Sequence, residues 1–234
     1  MNEKMERCRS CFLVLWLREN LWRKQEMRLM ILATVLVSLL LMVACSDPAA
    51  DKSKAVTSSA TAPTSPTTSQ GEKYRITPQN SKIEFVASKV VGSQSGSFKD
   101  FSGEIDYTGK PETSRVNVTI NMGSVETDAE GLTQHLKTPD FFDVAKFPQS
   151  TFTSTEVKAG GDKGASHTIS GNFQLHGVTK LISFPATITV APDGVSVEST
   201  FSINRKDFGI TYTGMADNAI RDEVVMTLHI KATK

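Results

Sequence analysis

Beyond residue 82 the apolar residues of this chain return at every second position, the repeat of a strand that buries one face. Ile83, Phe85 and Ala87 alternate with Lys82, Glu84 and Ser88. Phe101, Gly103, Ile105 and Tyr107 alternate with Ser102, Glu104 and Asp106, and Val116, Val118, Ile120 and Met122 with Asn117, Thr119 and Asn121. The same pattern predicts strands over 152–157, 169–175, 182–190, 195–203 and 224–230. Turn chemistry separates them: Gly92 to Gly96, Gly109-Lys110-Pro111, Gly160 to Gly164, Gly177-Val178-Thr179 and Pro192-Asp193-Gly194. Eight alternating strands joined by short turns favour an antiparallel meander, and closure into a barrel removes the exposed edges. A two-sheet sandwich satisfies the same pattern.

Two connections are long, 123–150 and 205–223, and the first is expected to hold a short helix over 129–137. Along 135–152, at its end and just past it, Phe141, Phe142, Phe147 and Phe152 crowd into twelve residues with neither helical nor strand period. Each ring offers roughly 150–250 Å² to bury. Such a loop is either a plug in a core or the mouth of an apolar cavity. An eight-stranded barrel has room for its own side chains or for one small ligand.

The N-terminal third reads differently. Sixteen uncharged residues, 29–44, follow Arg23, Lys24 and Arg28, the layout of an export signal. A helix of that length spans about 24 Å, short of the roughly 30 Å hydrocarbon layer. Leu41-Met42-Val43-Ala44-Cys45 resembles a bacterial lipobox, which implies cleavage before Cys45, a diacylglycerol on its sulfur and a further palmitate-type acyl chain on the new terminus. Several acyl chains make a firm anchor where one is marginal. With Ser46, not Asp, after the cysteine, the expected place is the outer membrane of a Gram-negative-type cell, facing the periplasm. Residues 1–45 are thus leader and signal peptide, and Met27 would serve as a start as well as Met1. In 46–71, nineteen of 26 residues are Ser, Thr, Ala or Pro, a composition expected to form a flexible tether of roughly 25–30 Å. The folded domain is expected over 72–234.

Charge and chemistry narrow the function. Residues 46–234 carry 19 Lys and Arg against 21 Asp and Glu, which gives a nucleic-acid partner no electrostatic support. All three cysteines, Cys8, Cys11 and Cys45, precede the domain, so it has no thiol nucleophile and no disulfide. Gly92 to Gly96 places Gln94 where a nucleophile elbow needs Ser, and reads as a hairpin loop. His135, Asp140 and Asp143 match no established metal-ligand spacing. His167 and His229 read as surface positions, and His176, before Gly177, as a turn residue. No cofactor motif is present.

Five spaced phrases together resemble the YceI-like family: Gly96-Ser97-Phe98 with Phe101-Ser102-Gly103; His135-Leu136-Lys137 to Phe141-Phe142-Asp143; Phe147-Pro148; Gly171-Asn172-Phe173 with His176 to Thr179; and Arg205 to Gly209. The resemblance covers about residues 74–232. It implies an all-β, eight-stranded, lipocalin-like antiparallel barrel in the cell envelope. It also implies non-catalytic binding of a long polyisoprenoid or isoprenoid quinone in the lumen. The candidate ligand contacts are then Phe85, Phe98, Phe101, Ile105, Val118, Ile120, Leu136, Phe141, Phe142, Phe147, Phe152, Phe173, Leu175, Phe184, Phe201 and Phe208, with Phe141, Phe142 and Phe147 shaping the mouth. Where many members carry a histidine before the first long strand, this chain has Asn80. Two rival readings stand beside this one: a solid barrel serving as an interaction module, with Phe141 and Phe142 as core plugs, and an enzyme using His135, Asp140 or His176.

Overall fold

The computed structural model describes residues 47–61, 71–215 and 218–234. The segment read as an export signal, 29–44, and Cys8, Cys11 and Cys45 lie outside the described residues. Among the described residues no helix is long and apolar enough to cross a membrane.

The strands are β1 (Ser53–Lys54), β2 (Val56–Ser59), β3 (Glu72–Ile76), β4 (Lys82–Lys89), β5 (Ser93–Phe98), β6 (Phe101–Tyr107), β7 (Arg115–Asn121), β8 (Val125–Thr127), β9 (Gln149–Ala159), β10 (His167–Leu175), β11 (Val178–Ala191), β12 (Gly194–Asn204), β13 (Gly214–Met215) and β14 (Asn218–Thr233), with one short helix, α1 (Glu130–Leu136). Eight of them close an antiparallel barrel in the order β12, β11, β10, β9, β7, β6, β3, β14 and back to β12. Inward residues alternate with outward ones, so Tyr74, Ile76, Ile105, Ile120, Ile169, Ile182, Phe184, Phe201 and Ile203 are all buried.

One side of the barrel is bent across three neighbouring strands. β3 and β4 lie end to end along one edge of β14, with Arg75 opposite Thr233 and Lys82 opposite His229. Pro78, lacking an N–H, cannot continue the ladder between them; the Ser81 N–H donates instead to the Thr77 carbonyl at 3.1 Å. β5 and β6 break at Lys99-Asp100, and β7 and β8 at a 3-10 turn over Met122–Ser124. Asn121 and Ser124 stitch these two breaks together: the Asn121 amide donates to Asp100 Oδ2 at 2.9 Å, and the Asp100 N–H to Ser124 Oγ at 3.0 Å. The lower halves, β3, β6 and β7, belong to the closed ring. The upper halves, β4, β5 and β8, flare above it.

This corrects the strand reading at particular places. Gly92 to Gly96 is not all loop: Ser93–Phe98 is a strand paired with β4, its backbone satisfying the ladder although its side chains are small and polar. The ring position expected of 83–87 belongs to β3, which has only Tyr74 and Ile76 to turn inward. The tether reading changes too. Residues 47–61 do not stand off the domain, since β1 pairs in parallel with β12 and β2 antiparallel with β11. Backbone pairing needs no large apolar residue, which is why composition did not reveal it. Residues 62–70 lie outside the described residues.

Candidate functional site

The lumen holds two apolar cavities, one above the other. The lower, of about 100 Å³, is walled entirely by apolar side chains, all from the closed ring except Ile83 of β4, among them Ile105, Val118, Phe152, Phe184, Val197 and Phe201. The upper, of about 90 Å³, lies between the flared strands, the long connections and α1, and meets Phe85, Phe98, Leu136, Phe141, Phe142 and Leu175. Ile120, Phe173, Ile203 and Met226 border both and form a waist between them. An engineered cavity of roughly 150 Å³ with walls of this kind stays dry and takes up benzene. Here the partition includes a methionine, whose three rotatable bonds let it move aside at low cost.

Of the residues expected to touch a ligand, all but Phe101, Phe147 and Phe208 line one cavity or both. Phe101 is buried opposite Ile120 without reaching either space. Phe208 is fully buried behind Phe173, ring centroids 5.3 Å apart. Phe147 is not at the mouth. It packs on His176 at 4.8 Å, with Lys146 Nζ 5.0 Å from its ring centre. His176 and Gly177 both take positive φ, 51° and 76°, the two left-handed positions of a tight hairpin turn, and a Cβ on Gly177 would fall 2.4 Å from the Phe147 ring. Phe147 is therefore a peg that docks the long loop onto the β10–β11 turn.

The upper cavity has a lid. α1 presents Leu136 to it and carries no side-chain cap at its start; Thr133 instead accepts from the Thr127 N–H at 3.0 Å. The loop that follows folds back on itself, Phe142 N–H donating to the Leu136 carbonyl at 3.1 Å and Phe147 N–H to that of Asp143 at 2.8 Å. Its outer face is a small cluster: His135 Nε2 lies 2.9 Å from Asp140 Oδ2 and meets the Phe141 and Tyr212 rings edge-on at 5.0 and 5.2 Å. His135 and Asp140 are both exposed and sit on the outside of the lid. Among the described residues, no group of three or more His, Cys, Asp or Glu side chains could hold a metal ion.

Arg205 closes the upper cavity from the opposite side and was not among the expected contacts. It is buried, and its guanidinium donates to the carbonyls of Arg221 at 3.1 Å, Ile210 at 2.8 Å and Ile220 at 3.3 Å, and to Asp222 Oδ1 at 3.3 Å. Burial pushes its pKa down from the ordinary guanidinium value while Asp222 holds it up; the group stays charged. One side chain thus ties Ile210 and the start of β14 to the end of β12. Ser150, also in the wall, spends its hydroxyl on the Gln174 carbonyl at 2.5 Å. Ile76, Val116, Ile169, Met226 and Leu228 also line the lower space and could have been found by the same alternation. Ile210 lies in a connection without period, and Ile220 near the start of β14, ahead of the alternation read from 224, so neither could.

Residues 74–232 match the family model of the YceI-like domain. The protein YceI of Salmonella arizonae is 42% identical over 123 residues, which are 50% of this chain and 63% of that protein; the chain therefore spans less than two thirds of the curated relatives it matches. Among solved structures, Burkholderia cenocepacia BcnA superposes with a TM-score of 0.60 at 21% identity, over 68% of this chain and 99% of that one. A polyisoprenoid binding domain from Saccharophagus degradans gives 0.55 at 18% identity, over 68% and 97%. The Campylobacter jejuni YCEI protein gives 0.53 at 26%, over 59% and 84%.

Proposed function

The chain belongs to the YceI-like family, and on that premise we propose that it binds, without catalysis, a long apolar isoprenoid, either a polyprenyl chain or an isoprenoid quinone, in the lumen of its barrel. The observation that carries the reading is the pair of abutting apolar cavities separated by a waist that includes the flexible Met226. The choice of ligand class is supported by the Saccharophagus degradans neighbour, a polyisoprenoid binding domain of the same fold. Burial of apolar surface yields about 25 cal/mol per Å², so a five-carbon unit contributes on the order of 3 kcal/mol before ordering costs. A few buried units suffice. A chain occupying both cavities parts the waist, and Phe141 and Phe142 then contact the end nearer the lid.

The envelope location belongs to the same proposal. Acylation of Cys45 would anchor the protein to the outer membrane on its periplasmic side, with no nucleic acid involved, and its role would be to carry, store or sequester the isoprenoid. Asp47 already lies on the barrel, accepting from Arg221 at 3.0 Å. Two extended residues reach only about 7 Å, so an anchored barrel would sit against the membrane surface instead of standing clear of it.

Native mass spectrometry of the purified full chain, with and without added polyprenol or quinone, tests the reading. A bound isoprenoid mass is the expected result. Protein that is repeatedly empty and refuses both additions would overturn it and favour the solid-barrel reading.

A further inference from the structure

The barrel wall parts on one side. β11 and β12 pair only between Thr187–Ala191 and Gly194–Glu198. The ladder stops where Pro185 enters β11. Its carbonyl faces β12, where the Ser199 hydroxyl donates to it at 2.5 Å. In an extended strand the N–H and C=O of one residue point the same way, so the proline removes the donor that β12 would need. Beyond this point the two strands turn to other partners. Lys180–Ser183 of β11 pair with Val56–Ser59, and Phe201–Ser202 of β12 pair with Ser53–Lys54; Ala55 N–H donates to the Ser202 carbonyl at 2.8 Å. The segment just upstream of the family-matched domain fills the gap as a strap.

Directly inside the gap, Phe184 of β11 and Phe201 of β12 stack face to face, centroids 4.3 Å apart and planes 11° from parallel. Both line the lower cavity. No backbone ladder joins their strands at this level. From the outside inward the wall is a strap and then two rings.

We propose that residues 53–59 are a releasable strap closing a lateral portal into the lower cavity, with Phe184 and Phe201 as its inner shutter, through which an apolar hydrocarbon chain passes from a lipid bilayer. The proposal rests on the reading of the lumen as an isoprenoid site. The strap is built to come away. Val56 is 70% exposed, and Lys54, Ser58 and Ser59 are exposed, so little apolar surface holds it. Its side-chain clasps are polar: Ser53 Oγ to Asp162 Oδ2 at 2.5 Å and Thr57 Oγ1 to Asp207 Oδ2 at 2.7 Å, with Asn172 Nδ2 to the Thr61 carbonyl at 2.7 Å just beyond its end. Segments held by a few polar clasps and little apolar contact open well below the global unfolding free energy. The rings need only rotate to leave a passage. An acyl chain on Cys45 would keep this seam near the bilayer, because the strap begins eight residues after that cysteine.

The test is a reversible lock. Ser58 and Leu181 are register partners, and the Ser58→Cys, Leu181→Cys double variant of the full chain is oxidised, then reduced, with each single variant as a control for Cys8, Cys11 and Cys45. Uptake of a dansyl-labelled C20 polyprenol from phosphatidylcholine vesicles is followed by stopped-flow fluorescence. The expected result is uptake slowed at least tenfold when oxidised and restored on reduction, with unchanged affinity at equilibrium. A Ser53→Ala, Thr57→Ala variant should take up the probe several-fold faster. Equal rates in all these states would overturn the portal while leaving the lumen reading standing. No binding in any state, including reduced and unmodified protein, would remove the lumen reading and the portal with it.

Discussion

The two cavities share four waist residues, yet their walls are held in different ways. The lower is enclosed by the strands of the ring, with backbone ladders around most of it, interrupted at the β11–β12 seam and reduced to one pair, Arg75 with Thr233, between β3 and β14. The upper is enclosed by flared half-strands and two long connections, and its closure depends on side chains: Arg205 on one flank, the aromatic lid of Phe141 and Phe142 on the other. A ladder is lost only by separating strands. A side-chain staple can be lost one group at a time. The lower space is therefore suited to holding a chain and the upper to adjusting around its end. The parallel extends to two glycines. A Cβ on Gly171 would fall 2.4 Å from the Phe152 ring of the lower cavity, and one on Gly96 would fall 2.3 Å from the Phe85 ring of the upper. Each cavity has a phenyl ring lying on bare backbone.

The largest effect should come from the staple. Arg205→Met removes the donor to three carbonyls and leaves them partnerless, an expected loss of about 3–5 kcal/mol in urea unfolding. Hydrogen exchange should rise most in 209–222, while β9 and β10 around the lower cavity stay protected. Equal loosening of both regions would break the comparison, because it would mean that the lower ring also depends on that one guanidinium.

Gly171→Ala probes the lower region. The new methyl would also meet the Thr153 carbonyl at 2.6 Å, and backbone cannot swing aside as a ring can. Overpacking of this kind costs about 1–3 kcal/mol, and Phe152 driven into the cavity should weaken long-chain binding. At Gly96 the nearest backbone atom, the Glu126 carbonyl, is 3.0 Å from the added methyl, so Gly96→Ala should cost less. Calorimetric Tm values for the two variants rank them. Phe142→Ala should come next, at roughly 2 kcal/mol, below the 3–5 typical of a fully buried phenylalanine because this ring is only half-buried. Its main effect should be several-fold weaker polyprenol binding in a fluorescence titration. A loss of 4 kcal/mol or more with affinity intact would make Phe142 a core plug.

The lower region was far more legible in the sequence than the upper one, for a physical reason. Strands of the ring must alternate, because water touches one face and the lumen the other, and Val118, Ile120, Phe152 and Phe184 carry that imprint. β5 leaves no such imprint, because Gly96 has to make room for Phe85 and its neighbours are serines. Ile210, in a connection, and Ile220, near the start of β14, reach the upper cavity along a path that Arg205 holds through their carbonyls, a tertiary bond that no period encodes. The phrase Arg205 to Gly209 stood out in the sequence as a motif without a mechanism. Arg205 clamps the connection, Phe208 wedges behind Phe173, and Gly209 ends the turn at φ 76°. The strap was illegible because Ser, Thr and Ala composition describes side chains, while the strap is held mainly through its backbone.

The smallest expected effect concerns the seam, where the lower region departs from its own rule. The Ser53 hydroxyl, and next the Lys163 backbone N–H, hold the Asp162 carboxyl below its ordinary value against the opposing effect of burial. A carboxylate depressed in the folded state contributes stability that is whole above its unfolded-state pKa, 3.8, and is lost as pH falls through the lower folded-state value. Protection factors of amides 55–59 should therefore drop between pH 5 and pH 2.5. Those of β10, held by ladders on both edges, should change less. Glu72, at the β3–β14 junction, is lowered in the same direction, first by the Tyr74 hydroxyl and then by Lys234, so the start of β3 should loosen over a similar range. Asp162→Asn separates the two, since it should flatten the response at 55–59 and leave that of β3 in place. If the strap of this variant still loosened in acid as the unmodified one does, the Ser53 clasp would not be what holds it, and the seam would depend on its backbone pairing alone.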